Sequence, residues 1–78
     1  MTTGEGLWSR ARRVRDQVER RLRKRTDVRM IDISASAAGL PVIMIHVDRP
    51  LTLDELRVSS QIEGIPLQVT RADEFRPQ

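Results

Sequence analysis

Residues 40–47 read Leu-Pro-Val-Ile-Met-Ile-His-Val, and six of these eight residues are strongly apolar. A run this short, bounded by Gly39 and Asp48, favours a strand over a helix. Both of its alternating faces are largely apolar, which is typical of a strand in the middle of a sheet with something packed on each side. The rest of the chain must therefore supply the cover for this strand.

The length of 78 residues allows one domain and no second core. We predict a single domain over residues 1–78, with flexible ends at 1–4 and 71–78. A domain of this size buries only about 60% of its unfolded surface and usually needs disulfides, a metal or oligomerisation. The chain has no Cys and one His, so it has no disulfide and does not build an ordinary zinc site. This favours oligomerisation, with an unusually well-packed monomer as the alternative.

Apolar residues in the first third of the chain recur at spacings of four, three, four and four: Leu7, Ala11, Val14, Val18 and Leu22. This pattern predicts one amphipathic helix from about residue 5 to residue 25. The helix would pack by one narrow seam and expose arginines on its opposite face.

The net charge of +3 is unevenly distributed. Residues 10–25 hold nine basic and two acidic residues, a net charge of +7, whereas the rest holds five basic and nine acidic residues, a net charge of −4. Two interpretations of this helix stay open. It contacts RNA phosphates, which guanidinium groups bind without reading sequence, or it is a solvated face, with or without contact to the acidic surface of a partner protein. The candidate contacts are Arg12, Arg13, Arg20, Arg23 and Lys24.

The remaining segments predict two more strands and a second helix. Residues 28–35 read as a strand, joined to the central strand by a hairpin of small residues. Residues 51–60 read as a short second helix, in which Thr52 followed by Glu55 is a capping-box pattern. Residues 65–70 alternate as a strand, and Pro66 places it at a sheet edge because proline lacks a backbone donor.

These elements predict an α+β fold: a single αββαβ domain with a three-stranded mixed sheet, both helices on one face. The other face would be open and partly apolar, and such a face is normally an interface. The sequence leaves open which phase of the central strand faces the helices. The candidates for the interface or the core are Ile31, Ile33, Val42 and Met44.

Residues 39–48, 51–55 and 62–63 together resemble the cytoplasmic domain of cation-efflux transporters, which is also αββαβ. In that family the domain dimerises and can bind zinc. His46 stands where the family often has a strand histidine, but Arg57 stands where it usually has a helix histidine. The resemblance implies a dimerising module and not a metal site. A second resemblance, in residues 62–69 with Glu74 and Phe75, is to the small segment that precedes some bacterial trypsin-like protease domains.

No catalytic set is recognisable in the chain. His46 is the one His, without a Cys or a Ser in a nucleophile motif. The acidic residues around the second helix, Asp48, Asp54, Glu55 and Glu63, are interpreted as caps and solubilising groups rather than cation ligands. We therefore predict that the protein is not an enzyme and has no cofactor. We predict a protein-interaction or oligomerisation module, alone or as a small subunit of an assembly, or alternatively a basic RNA- or ribosome-binding accessory protein.

The location follows from the distribution of apolar residues. No apolar run approaches the roughly 20 residues of a membrane span. No hydrophobic stretch follows the first basic residues, as it would in a secretory signal. We predict a cytoplasmic protein without a membrane span.

Overall fold

The computed structural model describes residues 3–71. Its elements in chain order are α1 (Thr3–Leu22), β1 (Val28–Ala35), β2 (Pro41–Val47), α2 (Leu53–Leu56), β3 (Gln61–Ile62) and β4 (Ile65–Arg71). The predicted class, a small α+β domain with a long basic helix and a mixed sheet, is confirmed. Most of the two predicted flexible ends lies outside the described residues, as do Glu74 and Phe75. Where the predicted ends overlap the described residues, Thr3 begins α1 and Arg71 ends β4.

The sheet has the strand order β1-β2-β4-β3. β1 is antiparallel to β2, β2 is parallel to β4, and β3 is antiparallel to β4. The apolar stretch that includes β2 is thus central, as predicted. A parallel pair needs a crossover connection, and the segment that contains α2 supplies it.

The prediction of three strands is wrong, because β3 adds a fourth. Glu63 and Gly64 both have positive φ, at 53° and 82°, which suits a two-residue hairpin turn. This turn folds Gln61 back opposite Pro66 and Ile62 opposite Ile65. β4 is therefore not an edge strand over its first two residues, and the edge predicted from the proline is wrong there.

The second helix is shorter than predicted, a single turn at Leu53–Leu56. Its capping box is present: Glu55 N donates to Thr52 Oγ1 at 3.2 Å, and Thr52 N donates to Glu55 Oε1 at 2.8 Å. Arg57 follows with a φ of 61° and ends the turn in the left-handed conformation.

The core lies between α1 and one face of the sheet. The predicted seam of α1 is buried from Ala11 to Leu22, although the helix ends three residues before its predicted limit. Leu56 and Val58, from the α2 segment, join the same core cluster. The sheet residues of this core cluster are Ile31, Ile43, Ile45, Val47, Ile65 and Leu67.

Candidate interaction surfaces

The side of the sheet turned away from α1 is called here the open sheet face. Residues that are paired across strands share a face, and successive residues along a strand alternate between faces. Two rows of paired residues therefore lie on this face, Asp32–Met44–Gln68 and Met30–His46–Thr70. Its residues are Met30, Asp32, Ser34, Val42, Met44, His46, Gln68 and Thr70. Both described helices pack on the opposite side, so no described element covers this face.

The middle of the open sheet face is apolar. Val42 is 5% exposed and Met44 is partly exposed, although no described element lies over them. Met30 and Leu40 are 52% and 51% exposed, the large apolar side chains that stand out among the described residues. Leu40 precedes Val42 by two residues, so alternation puts it on the same face. Because Val42 is buried, the apolar surface of this face that contacts solvent comes from Met30, Leu40 and Met44.

The four residues predicted for the interface or core are divided by the sheet. Ile31 and Ile33 are paired with Ile45 and Ile43 on the α1 side, where Ile31 is 7% exposed and Ile33 packs on the core. Val42 and Met44 lie on the open sheet face. The packing of α1 therefore decides the phase that the sequence left open.

His46 and Asp32 form a pair on the open sheet face, with 3.3 Å between His46 Nε2 and Asp32 Oδ1. Asp32 lies opposite Met44 and His46 lies opposite Met30, so the two polar groups meet diagonally across the strands. Among the described residues, no three of His, Cys, Asp and Glu gather into a group that could hold a metal ion.

The arginines of α1 fall into two groups. Several are engaged by the fold: Arg13 pairs with Glu63 at 3.4 Å, Arg21 Nε donates to the Arg57 carbonyl at 3.2 Å, and Arg10 reaches the Glu63 carbonyl at 3.5 Å. These arginines tie α1 to the loops around α2 and β3.

Four other cations form what we call the basic ridge: Arg12, Arg20, Arg23 and Lys24. All four are exposed, and within residues 3–71 none of them has an acidic partner. Arg12 has one contact, 3.5 Å to the Ser9 hydroxyl. Of the five predicted phosphate contacts, Arg13 alone is thus held in an ion pair.

A cluster that the sequence did not predict joins the α1–β1 turn to the end of β2. Arg25 donates to both carboxylate oxygens of Asp27 at 3.1 Å, and Arg49 reaches the same carboxylate at 3.4 Å. These hydrogen bonds, led by that of Arg25, hold the pKa of Asp27 below its usual value. Asp48 N also donates to the Asp27 carbonyl at 3.1 Å. The residue spacing gave no signal for this cluster.

β1 is an outermost strand, and its backbone phase is fixed by two contacts. Ser36 N donates to the Leu40 carbonyl at 2.7 Å. In this antiparallel register, the even-numbered residues of β1 therefore direct their backbone N–H and C=O groups to β2. The odd-numbered residues Ile31, Ile33 and Ala35 therefore point their N–H and C=O groups outward. Arg15 Nε donates to the outward Ile31 carbonyl at 3.1 Å. A groove of about 480 Å³, called here the edge groove, lies beside this contact between α1 and β1.

A second depression, of about 330 Å³, lies between α1 and the segment after α2. Its polar lining is Gln17, Arg21, Arg57, Ser59 and Gln61. The lining has no His, Asp or Glu that could take a proton from Ser59. It offers cationic hydrogen-bond donors and no acid–base pair.

Family models, curated proteins and solved structures gave no match to this chain. The resemblances to cation-efflux and protease-associated domains accordingly stay predictions. No helix in the described part of the chain is long and apolar enough to cross a membrane.

Proposed function

We propose that this protein is a non-enzymatic interaction module that pairs with a second copy of itself through the open sheet face. The observation that carries the proposal is the apolar surface of this face, the partly exposed Met44 with the half-exposed Met30 and Leu40, which no described element covers. Exposed apolar patches of this kind usually mark interaction sites. A domain this small also gains stability when such a face is buried.

The chemistry of the face suits pairing between like surfaces. A two-fold axis brings the same patch of each copy together, and two sheets pack about 10 Å apart when they stack face to face. The apolar centre would meet its equivalent, surrounded by the polar residues of the same face: Asp32, Ser34, His46, Gln68 and Thr70. A small-subunit role in a larger assembly would use the same patch against another protein.

The described side chains support a binding function over catalysis. His46 contacts a carboxylate but no nucleophile, and Ser59 lies in a depression without a base. A hydrolytic or transfer reaction needs a nucleophile, a base and an orienting group together. The non-enzymatic part of the proposal rests on this arrangement.

Substitutions on the open sheet face test the pairing. Met44→Asp and Leu40→Asp place a charge in the apolar patch, whereas Gln17→Asp adds the same charge on the exposed side of α1. Light scattering after size exclusion at high salt should give a dimer for the wild type and Gln17→Asp, and a monomer for the other two. Circular dichroism must show that all four proteins fold. A wild-type monomer at millimolar concentration contradicts self-pairing.

A second function has its own supporting observation, the absence of acidic partners for the basic ridge within residues 3–71. The four exposed cations, two on α1 and two just after it, can contact RNA phosphates, and α1 rises about 12 Å from Arg12 to Arg20. Fluorescence anisotropy with a labelled single-stranded RNA tests this. Four contacts predict a log–log salt slope of about −3. Arg20→Glu should abolish binding and Arg57→Glu, off the ridge, should not; equal losses would reject the ridge as the RNA site.

A further inference from the structure

The free edge of β1 carries backbone groups that the described part of the fold leaves unused. The N–H groups of Ile31, Ile33 and Ala35 and the carbonyls of Ile33 and Ala35 point away from β2 and have no described partner. The Ile31 carbonyl alone is occupied, by Arg15. Unpaired backbone groups along the edge of a sheet are a template for a further strand.

The surroundings of this edge differ on its two sides. The charged lining of the edge groove is Arg12, Arg15 and Asp16 on α1 and Asp32 on β1. Another depression, which shares Met30 and Ile31 with the edge groove, has Arg23 and Glu19 in its lining. Arg12 and Arg23 have no acidic partner among the described residues. Towards the open sheet face, the half-exposed Met30 lies beside the edge. An incoming strand would thus meet Arg12 and the Arg15–Asp16 pair on one side, and Met30 with the Asp32–His46 pair on the other.

We propose that the β1 edge binds an extended acidic segment of a partner protein as an added strand. Its acidic side chains would face Arg12 and Arg15, and the alternate apolar side chains would cover Met30. Asp16 and Glu19 already neutralise Arg15 in part, so Arg12 supplies the main attraction for acidic side chains in the groove.

A second copy of the chain is the less suitable occupant of this edge. Two copies could pair β1 with β1 in antiparallel fashion, about a two-fold axis normal to the sheet. Both α1 helices would then lie on the same face of the joined sheet. The two edge grooves would then meet, bringing Arg12 and Arg23 of each copy towards those of the other. Like charges oppose this pairing and favour an acidic partner.

The probe is an end-capped eight-residue peptide in which Glu alternates with Val, compared with the same peptide carrying Lys for Glu. Titration into the ¹⁵N-labelled protein should shift the amide signals of Ile31, Ile33 and Ala35. The Glu peptide should bind at least tenfold more tightly than the Lys peptide. Equal affinity, no binding at millimolar peptide, or shifts confined to other residues would overturn the proposal.

Two matched pairs of variants locate the site. Ala35→Pro removes an outward N–H without breaking the β1–β2 ladder and should lower the affinity at least tenfold, whereas Ala35→Ser keeps the N–H and should not. Arg12→Glu should weaken binding, whereas Arg20→Glu, an equal charge change outside the groove, should have a much smaller effect. Binding that is unchanged by Ala35→Pro would overturn strand addition. Because none of these residues lies in the patch of the open sheet face, failure here leaves the proposed pairing standing.

Discussion

Arg15 Nε donates a hydrogen bond to the carbonyl oxygen of Ile31 at 3.1 Å, and this contact joins α1 to the outer edge of β1. The side chain of Arg15 is only 34% exposed, unlike the cations of the basic ridge. The guanidinium occupies a position that a backbone N–H of a neighbouring strand would take. One arginine of the helix thus acts on the sheet, while the four cations of the basic ridge remain available to a partner.

Removing this contact should destabilise the fold. Arg15→Met keeps the aliphatic stem but loses the donor, and we expect it to lower the free energy of unfolding by about 1 kcal/mol. Arg12→Met removes the same charge from an exposed site and should change it by less than about 0.5 kcal/mol. Urea denaturation of both variants makes the comparison. Equal losses would show that the Arg15 contact adds no stability.

The phase of β2 can be tested on two consecutive residues. Ile45 is fully buried against α1, so Ile45→Ala should cost about 3 kcal/mol of unfolding free energy. Met44 points to the open sheet face, and Met44→Ala should cost about 1 kcal/mol or less in dilute monomer. Chemical denaturation at low protein concentration measures both. A larger loss for Met44 would reverse the assignment of the two faces.

One substitution at two glycines should have opposite effects. Gly6 lies in α1 with open space around an added Cβ, so Gly6→Ala should stabilise the protein by about 0.5 kcal/mol through helix propensity. Gly64 also has open space but a φ of +82°, so Gly64→Ala should destabilise by about 1 kcal/mol. Thermal and urea unfolding report both signs. Stabilisation by Gly64→Ala would be inconsistent with the β3–β4 turn.

The Asp27 cluster predicts a specific acid sensitivity. The pKa of the Asp27 carboxyl is lowered in the folded protein, chiefly by the hydrogen bonds from Arg25. In the unfolded chain an Asp carboxyl titrates at about 3.9. The stabilisation is therefore present above that pH and is lost as the pH falls towards the folded pKa. In Asp27→Asn the free energy of unfolding should fall less steeply below about pH 4 than in the wild type. In Asp54→Asn, a change at an exposed site, it should fall as in the wild type. Urea midpoints from pH 6 to pH 2 give the comparison, and an unchanged profile for Asp27→Asn would contradict the cluster.

The sequence predicts the elements whose signals are local. The apolar seam of α1 appears as a repeat, the Thr52–Glu55 cap as a spacing, and the β4 alternation as a pattern. β3 is missed because two residues carry no periodicity, and Glu63 is an unusual residue for the positive φ that the turn requires. The end of α1 is overestimated because the basic residues after Leu22 are also good helix formers.

The surfaces depend on long-range packing and were less accessible to sequence reasoning. Both faces of β2 are apolar, so only the docking of α1 assigns Ile45 to the core and Met44 to the open sheet face. The separation of the helix arginines follows from where Glu63 and Ile31 lie in space. These partners are 50 and 16 residues away along the chain from Arg13 and Arg15.

Contacts of the Met44 methyl group across two copies test the central claim most directly. In a mixture of ¹³C-methyl-labelled and unlabelled protein, an isotope-filtered NOE experiment detects only contacts between different molecules. We expect intermolecular signals from the Met44 methyl to Leu40, Val42 or Met44 of the other copy, and their loss in Leu40→Asp. A concentrated sample without such signals, or with intermolecular signals only from α1, would contradict pairing through the open sheet face.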